Sequence, residues 1–553
     1  MIRRLLTLAV LLAPLSGEAI LAEEIHPLYE SPAPVRDDSE LDKIVFAKLA
    51  SLGIEPVLCS DAVFVRRAYL DVIGTLPTAE EARAFLDDES KNKRLALIEH
   101  LMEREEFGDY WAMKWGDVLR IKAEFPINLW PNAAQAYHRW VRASIVENKP
   151  YDQFVRELLT SSGSNFRIGP VNFYRAIQNK TPEGIATAAA LTFMGSRTDY
   201  WPEGRLEGVS VFFSQVSYKP TSEWKEECVF WDPLKAAETP GNVAPGHDKP
   251  TTAGQVIDEE AADEAPTPSR KPLTATFPDG TTIQLRPNKD PREVFADWLI
   301  TPDNPWFTKS IANRVCAWVL GHGVIDEPDD IRDDNPPSNP RLLAYLEKEL
   351  IENDYNLKHL FRLLFTSKTY QLTSMPRYDD PKAEANFAVY PIRRLDAEVL
   401  IDAINQITGT TDLYTSAIPE PFTYIPKDQN AISIADGSIT SPFLALFGRS
   451  ARATGMESER DNDPVWGQWL HLLNSSHIQQ KLERGPKLKA IFGSGRKPAE
   501  IAEELYLTIL SRRPTQDELK TIGDYVQANK SKSIGAIDIT WSLINSTEFL
   551  YRH

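Results

Sequence analysis

Tyr69-Leu70-Asp71-Val72-Ile73-Gly74-Thr75-Leu76-Pro77-Thr78-Ala79-Glu80-Glu81 reads as a helix, a Pro-Thr cap and the start of a second helix. The Thr78 hydroxyl is spaced to hold the amide of Glu81 while the Glu81 carboxylate reaches back, a reciprocal arrangement that starts helices. The same phrase returns near the other end of the chain. Tyr506-Leu507-Thr508-Ile509-Leu510-Ser511-Arg512-Arg513-Pro514-Thr515-Gln516-Asp517-Glu518 aligns with it without a gap. Each copy is followed by a helix that closes alike, Leu101-Met102-Glu103-Arg104-Glu105-Glu106-Phe107 in one and Leu543-Ile544-Asn545-Ser546-Thr547-Glu548-Phe549 in the other. Leu364-Phe365-Thr366-Ser367-Lys368-Thr369-Tyr370 echoes that closing phrase. The expectation is two copies of one helical module, with convergence on a common helical hairpin as the alternative.

Outward from these phrases the helical pattern continues. Leu41, Ile44, Val45 and Leu49 recur at the spacing of one apolar helix face. Residues 232–270 shift to Pro, Ala, Gly, Asp and Glu, which predicts a solvated linker or loose insertion. Leu273–Phe277 and Thr282–Leu285 flank Pro278-Asp279-Gly280 and read as a β-hairpin. Helices resume from Pro291, and 408–442 is rich in loops. The predicted fold is mainly α: a multi-helical, two-domain protein with a small hairpin region and an acidic Pro-rich linker. The expected divisions are a signal peptide at 1–22, a helical domain at 39–231, the linker at 232–270 and a second helical domain at 271–553.

The 553 residues exceed what a single core usually supports, so two to four domains are expected. With 42% hydrophobic and 25% charged residues the chain is an ordinary globular one. A net charge of -18 argues against nucleic acid as a partner, since no basic face would readily dominate. Arg3-Arg4, the apolar run Leu5–Pro14 and small residues up to Ala19 and Ala22 read as a Sec-type signal peptide. The run falls short of the ~20 residues that span a bilayer, so no integral membrane segment is expected in the mature chain. Export predicts a periplasmic or secreted protein. Cys59, Cys228 and Cys316 form no CxxC pair, and three buried free thiols are expected, with one disulfide plus a spare thiol as the alternative.

Further phrases carry a resemblance. They are Arg66–Asp71, Gly74–Thr78, Trp111–Asp117 and Lys149–Leu159 in the first half, and Ala296–Leu299, Asn313–Val315, Pro336–Pro340, Ser367–Tyr370, Arg393–Glu398 and Leu472–Asn474 in the second. Over nearly the whole mature chain outside the linker, the protein resembles an exported family of planctomycetes and verrucomicrobia. In that family a cytochrome-like domain of unknown function precedes a planctomycete-specific C-terminal domain. The resemblance implies a CxxCH haem attachment between a Phe-Leu-Gly-like phrase, here Phe193-Met194-Gly195, and Phe212-Phe213, but Gly195–Val211 contains no cysteine. The family's paired cysteines before a Glu-Arg are likewise replaced, by Met456-Glu457-Ser458-Glu459-Arg460. No haem, no metal and no other cofactor is therefore expected.

No HExxH, G-x-S-x-G or Walker-type glycine loop is present. The dense charges of Arg393, Arg394, Asp396, Glu398, Arg449, Arg452, Glu457, Glu459 and Arg460, with Asn313, Arg314 and His471, have two readings: a polar cleft gripping an anionic ligand, or a buried ion-pair network joining helices. The acidic loop 326–334 reads as solvated acids that cap a helix or meet arginines, and His322 as a turn histidine with a solvent partner. Most of the thirteen tryptophans are expected in the core, with Trp130 and Trp201, in Pro-rich loops, as surface candidates. The leading expectation is a haemless binding or scaffold protein for an unknown exported protein or glycan. The alternatives are an extracytoplasmic enzyme acting on a polyanionic or glycan substrate, and an electron-transfer partner.

Overall fold

Helix Asp61–Val72 illustrates how the chain builds its core. Its N-cap is Ser60, and every residue from Val63 to Val72 is buried, including Arg66, Arg67 and Asp71. The charges are tolerated because each guanidinium donates to backbone carbonyls. Arg66 donates to Ile509 O at 2.8 Å and to Phe549 O at 2.7 Å, and Arg67 to Tyr370 O at 2.6 Å and Leu372 O at 2.8 Å. These carbonyls lie hundreds of residues away, so the two halves of the chain close on one another around this helix. The computed structural model describes residues 25–235, 273–528 and 532–553. The expected signal peptide and nearly all of the expected linker lie outside the described residues.

The fold is mainly α with only short β pairs. Glu40–Ser51 buries Leu41, Ile44, Val45 and Leu49, as its periodicity requires. The predicted hairpin forms as Thr274–Thr276 against Thr282–Gln284, with Gly280 in the left-handed region at the turn. Gly163–Ser164, Glu227–Trp231 and Val216–Pro220 make a small antiparallel sheet in that order, and Arg393–Arg394 pairs with Tyr551–Arg552. One contiguous apolar core draws on helices from both halves, with Trp318 packed against both Trp111 and Trp115. No helix among the described residues is long and apolar enough to cross a membrane.

The two aligned phrases adopt the same structure. Asp61–Val72 and Ala79–Asp87 correspond to Pro498–Leu510 and Gln516–Ala528. Both capping boxes form: Glu81 N donates to Thr78 Oγ1 at 3.1 Å, and Glu518 N to Thr515 Oγ1 at 3.2 Å. Gly74 and Ser511, at equivalent positions, have φ of +66° and +59°. One arginine bridges two equivalent glutamates in each copy, but from a different place in the sequence. Arg104 joins Glu81 at 3.0 Å to Glu106 at 2.6 Å, whereas Arg512 joins Glu518 at 2.8 Å to Glu548 at 2.6 Å. The modules pack through Ala79, Ala82 and Leu507. The echo at Ser367 shares the closing cap, since Tyr370 N donates to Ser367 Oγ as Phe549 N does to Ser546 Oγ.

Several expectations change. Trp201 is half-buried, packs on the core and donates to Ser196 Oγ at 2.9 Å, because the loop that carries it folds inward. His322 stacks on Phe387 at 4.4 Å instead of facing solvent, with Nε2 buried and unpartnered. All three cysteines are free, yet Cys228 is only half-buried, being on a strand of the small sheet.

Candidate functional site

Helix Ala397–Thr408 opens at Asp396 with a carboxylate that turns away from the helix end and into the protein. Lys114 Nζ stands 3.1 Å from Asp396, Arg552 Nη2 3.0 Å and Arg460 Nη1 3.7 Å. Two residues on, Glu398 meets Arg460 at 2.7 Å and Arg449 at 3.2 Å. Arg460 continues to Asp117 at 2.7 Å, and Arg452 reaches the other oxygen of Asp117 at 2.9 Å. On the opposite side Arg552 lies 3.4 Å from Asp71, whose other oxygen accepts from Tyr370 and Tyr390 hydroxyls at 3.0 and 2.7 Å. The result is one continuous lattice of acids and cations, largely closed off from solvent: Glu398 and Arg452 side chains are 0% exposed, and Asp117 at its edge is 13% exposed.

The electrostatics follow from this burial. Burial by itself raises the Asp396 carboxyl, but Lys114, Arg552 and Arg460 overcome it and hold the group well below the usual aspartate range. Glu398 and Asp117 are lowered in the same way, against burial, by Arg460 first and then by Arg449 and Arg452 respectively. Three acids held as anions by fixed guanidiniums bind neighbouring helices together and are poor proton donors near neutrality.

The residues expected to line a cleft do not converge on one. Asp396, Glu398 and Arg460 join the lattice. Asn313 clamps a loop by donating to Ile325 O at 2.9 Å and accepting from Ile325 N at 2.8 Å. Arg314 pairs with Asp329 at 2.6 Å and donates to Thr192 O. The acidic loop thus meets arginines, Arg314 through Asp329 and Arg332 through Asp330. Glu457 accepts from Trp318 Nε1 at 3.0 Å, while its own amide donates to Asp329 at 2.7 Å. Glu459 receives the amides of Ala453 and Thr454. Arg393 donates to the Tyr390 hydroxyl at 2.7 Å, and Arg394 holds Gln468 and the Phe447 and Asp461 carbonyls. The physical reason is satisfaction: each charge has an internal partner, which removes the open face a cleft needs.

His471 stands apart from the lattice. The stretch around it is two helices, Trp466–Asn474 and Ser476–Arg484, because Ser475 caps the second. The break brings His471 Nε2 to 3.2 Å from His477 Nδ1, and His477 Nε2 to 2.8 Å from Asp412, which also pairs with Lys481 at 3.4 Å. At the far end of this chain of groups Lys481 donates to Thr410 Oγ1 at 3.2 Å and to Asn405 Oδ1 at 2.6 Å, so its ammonium is held by the neighbouring loop and helix. No group of three or more His, Cys, Asp or Glu side chains among the described residues is placed to hold a metal. A cleft lined by Phe107, Trp111, Trp115, Phe154 and Phe361, with Ser144, Asn148, Lys149 and Lys358 also in its lining, includes none of the residues expected to line one.

Asp71, Lys114, Asp117 and Arg552 complete the lattice and were not singled out from sequence. A signal was available in Trp111-Ala112-Met113-Lys114-Trp115-Gly116-Asp117, where charges stand amid bulky apolar residues of a core helix. Gly116 belongs to the same design, since a Cβ there would lie 2.9 Å from Arg452 Cζ.

The lattice and the paired modules define a class of mainly helical protein whose two halves are locked together by buried charge. Residues 40–197 match the family model PSCyt2, a protein of unknown function (DUF1549), and residues 291–526 match PSD1, a protein of unknown function (DUF1553). The chain belongs to the family in which these two domains follow one another in this order. No curated protein and no solved structure matches. The segment Gly195–Val211 does not fit a covalent haem: it offers no thiol, and at its start a Cβ on Gly195 would lie 2.9 Å from the Pro328 carbonyl.

Proposed function

We propose that this protein works outside the cytoplasm as a binding or scaffold protein, and that its charged cluster is a structural lattice and not a catalytic centre. The observation that carries this reading is the closure of Arg460 on Asp117 and Glu398, which engages these carboxylates with guanidiniums and buries Glu398 completely. The Arg3-Arg4 and Leu5–Pro14 leader supports export, and the net charge of -18 supports a partner other than nucleic acid.

The test compares Glu398→Gln with the parent protein. A structural role predicts a lower melting temperature with any ligand binding retained below it. Glycan or polyanion turnover by the parent that disappears in Glu398→Gln, at an unchanged melting temperature, would overturn the reading and favour an enzyme.

A further inference from the structure

Three loops bring the half-buried Trp130 and the exposed Trp224 and Phe422 together beside Lys225. Trp130, at the entry of helix Pro131–Val146, has its ring centroid 5.3 Å from that of Phe422. Lys225 Nζ lies 5.8 Å from the Trp130 ring and 5.2 Å from the Trp224 ring, in the turn between strands Val216–Pro220 and Glu227–Trp231. Trp224 is 67% exposed and Phe422 46%, and Phe125 and Tyr424 on the same two outer loops are 80% and 73% exposed. Exposed aromatic groups in this number mark an interaction surface more often than they mark chance.

The rings are held from beneath. Glu124 accepts from Ser416 Oγ at 3.1 Å and from Ala417 N at 3.0 Å, tying the Phe125 loop to the Phe422 loop. Ala123 N donates to Asp436 and Glu124 N to Ser438. In the third loop, buried Glu226 accepts from Ser164 and Thr221. The platform is therefore preorganised, which lowers the ordering cost of binding.

Lys225 sets the chemistry. Its neighbouring acids are engaged elsewhere, Glu223 with Arg167 and Glu226 with the two hydroxyls. Among the described residues Lys225 forms no ion pair, and its contacts are the two indole faces. An ammonium beside flat indoles matches a sugar ring whose C–H face stacks on an indole while an anionic substituent meets the cation. We propose that this platform binds an acidic glycan, a chain of pyranose units bearing carboxylate or sulfate groups. The proposal rests on the binding-protein reading above. The overall negative charge does not oppose it, because a short oligosaccharide feels mainly the charges within a screening length of about 8 Å. An anionic bilayer would instead face the whole acidic surface.

The experiment uses the full mature chain and follows tryptophan fluorescence and calorimetry during titration with oligogalacturonate, a sulfated oligosaccharide and a neutral cello-oligosaccharide. Binding of an acidic oligosaccharide is expected, weakened about tenfold or more in both Trp224→Ala and Lys225→Gln at unchanged melting temperature, with Lys225→Gln affecting neutral glycan least. Absence of binding to every glycan overturns the proposal. So does Trp224-dependent association with anionic phospholipid vesicles in place of glycan. Binding that survives Trp224→Ala overturns this platform but leaves the broader binding reading standing, whereas cleavage of a bound oligosaccharide that stops in Glu398→Gln overturns the broader reading itself.

Discussion

Arg552 and Asp396 meet at 3.0 Å inside the protein, and the same guanidinium lies 3.4 Å from Asp71 and donates to the Tyr110 hydroxyl. One side chain thus joins strand Tyr551–Arg552 to helix Asp61–Val72 and to the start of helix Ala397–Thr408. Asp396→Asn leaves Lys114 and Arg552 buried with one carboxylate fewer. The expected loss is about 3–5 kcal/mol, the cost of breaking a buried pair from one side, read as a lower midpoint in urea.

The lattice also fixes a pH dependence. Asp396, Glu398 and Asp117 titrate lower in the folded chain than in the unfolded one, so their contribution is present above the ordinary carboxylate range and is lost as pH falls through the folded values. Thermal melts are expected to fall steeply below about pH 4, and Glu398→Gln to show a shallower fall. Asp402 runs the other way. Burial raises it to about 7, although the amides of Ala431 and Ile432, at 2.8 and 3.0 Å, partly oppose the rise. Its contribution is full below its unfolded value and is lost as pH rises through about 7. Asp402→Asn should therefore gain on the parent between pH 4 and 8, by on the order of 4 kcal/mol.

The helical modules were legible because their information is local: a Pro-Thr cap and the glutamate three residues on fix a helix start wherever they occur. The charged lattice was half legible. Asp396 and Glu398 stand in one charge-dense stretch of the sequence and Arg460 in another, but Asp71, Lys114 and Asp117 come from hundreds of residues earlier, and no spacing rule connects them. His471 and His477 misled for a local reason. Their six-residue spacing does not share a face within one continuous helix, whereas the Ser475 cap starts a new helix and swings the rings together. Trp130 was legible as a loop tryptophan, but its partners Lys225 and Phe422 belong to other loops that only the fold brings near.

The thiols offer a check on burial that is independent of charge. Cys316 lies within helix Phe307–Leu320, fully buried, and burial pushes its thiol up to about 12. Cys59 is buried too, while Cys228 is half-buried on its strand. Iodoacetamide applied to native protein is expected to modify Cys228 first, and Cys59 and Cys316 only after denaturation, as peptide mass spectrometry would report. Rapid native alkylation of Cys316 would contradict the packing of that helix.

The paired modules make opposite predictions at equivalent positions. Ser511 holds φ of +59°, a conformation costly for a residue with a Cβ, and its hydroxyl is buried without a partner. Glycine already occupies the equivalent site at 74, at φ of +66°. Ser511→Gly removes both penalties and should stabilise the protein by about 1 kcal/mol in urea denaturation, despite the added freedom of the unfolded chain. Gly74→Ala should do the reverse and by more, because a Cβ there would stand 2.5 Å from Tyr110 Cδ2 and force that buried ring to move. If Ser511→Gly destabilises instead, the two turns are not conformational equivalents, and the resemblance between the modules stops at their capping boxes.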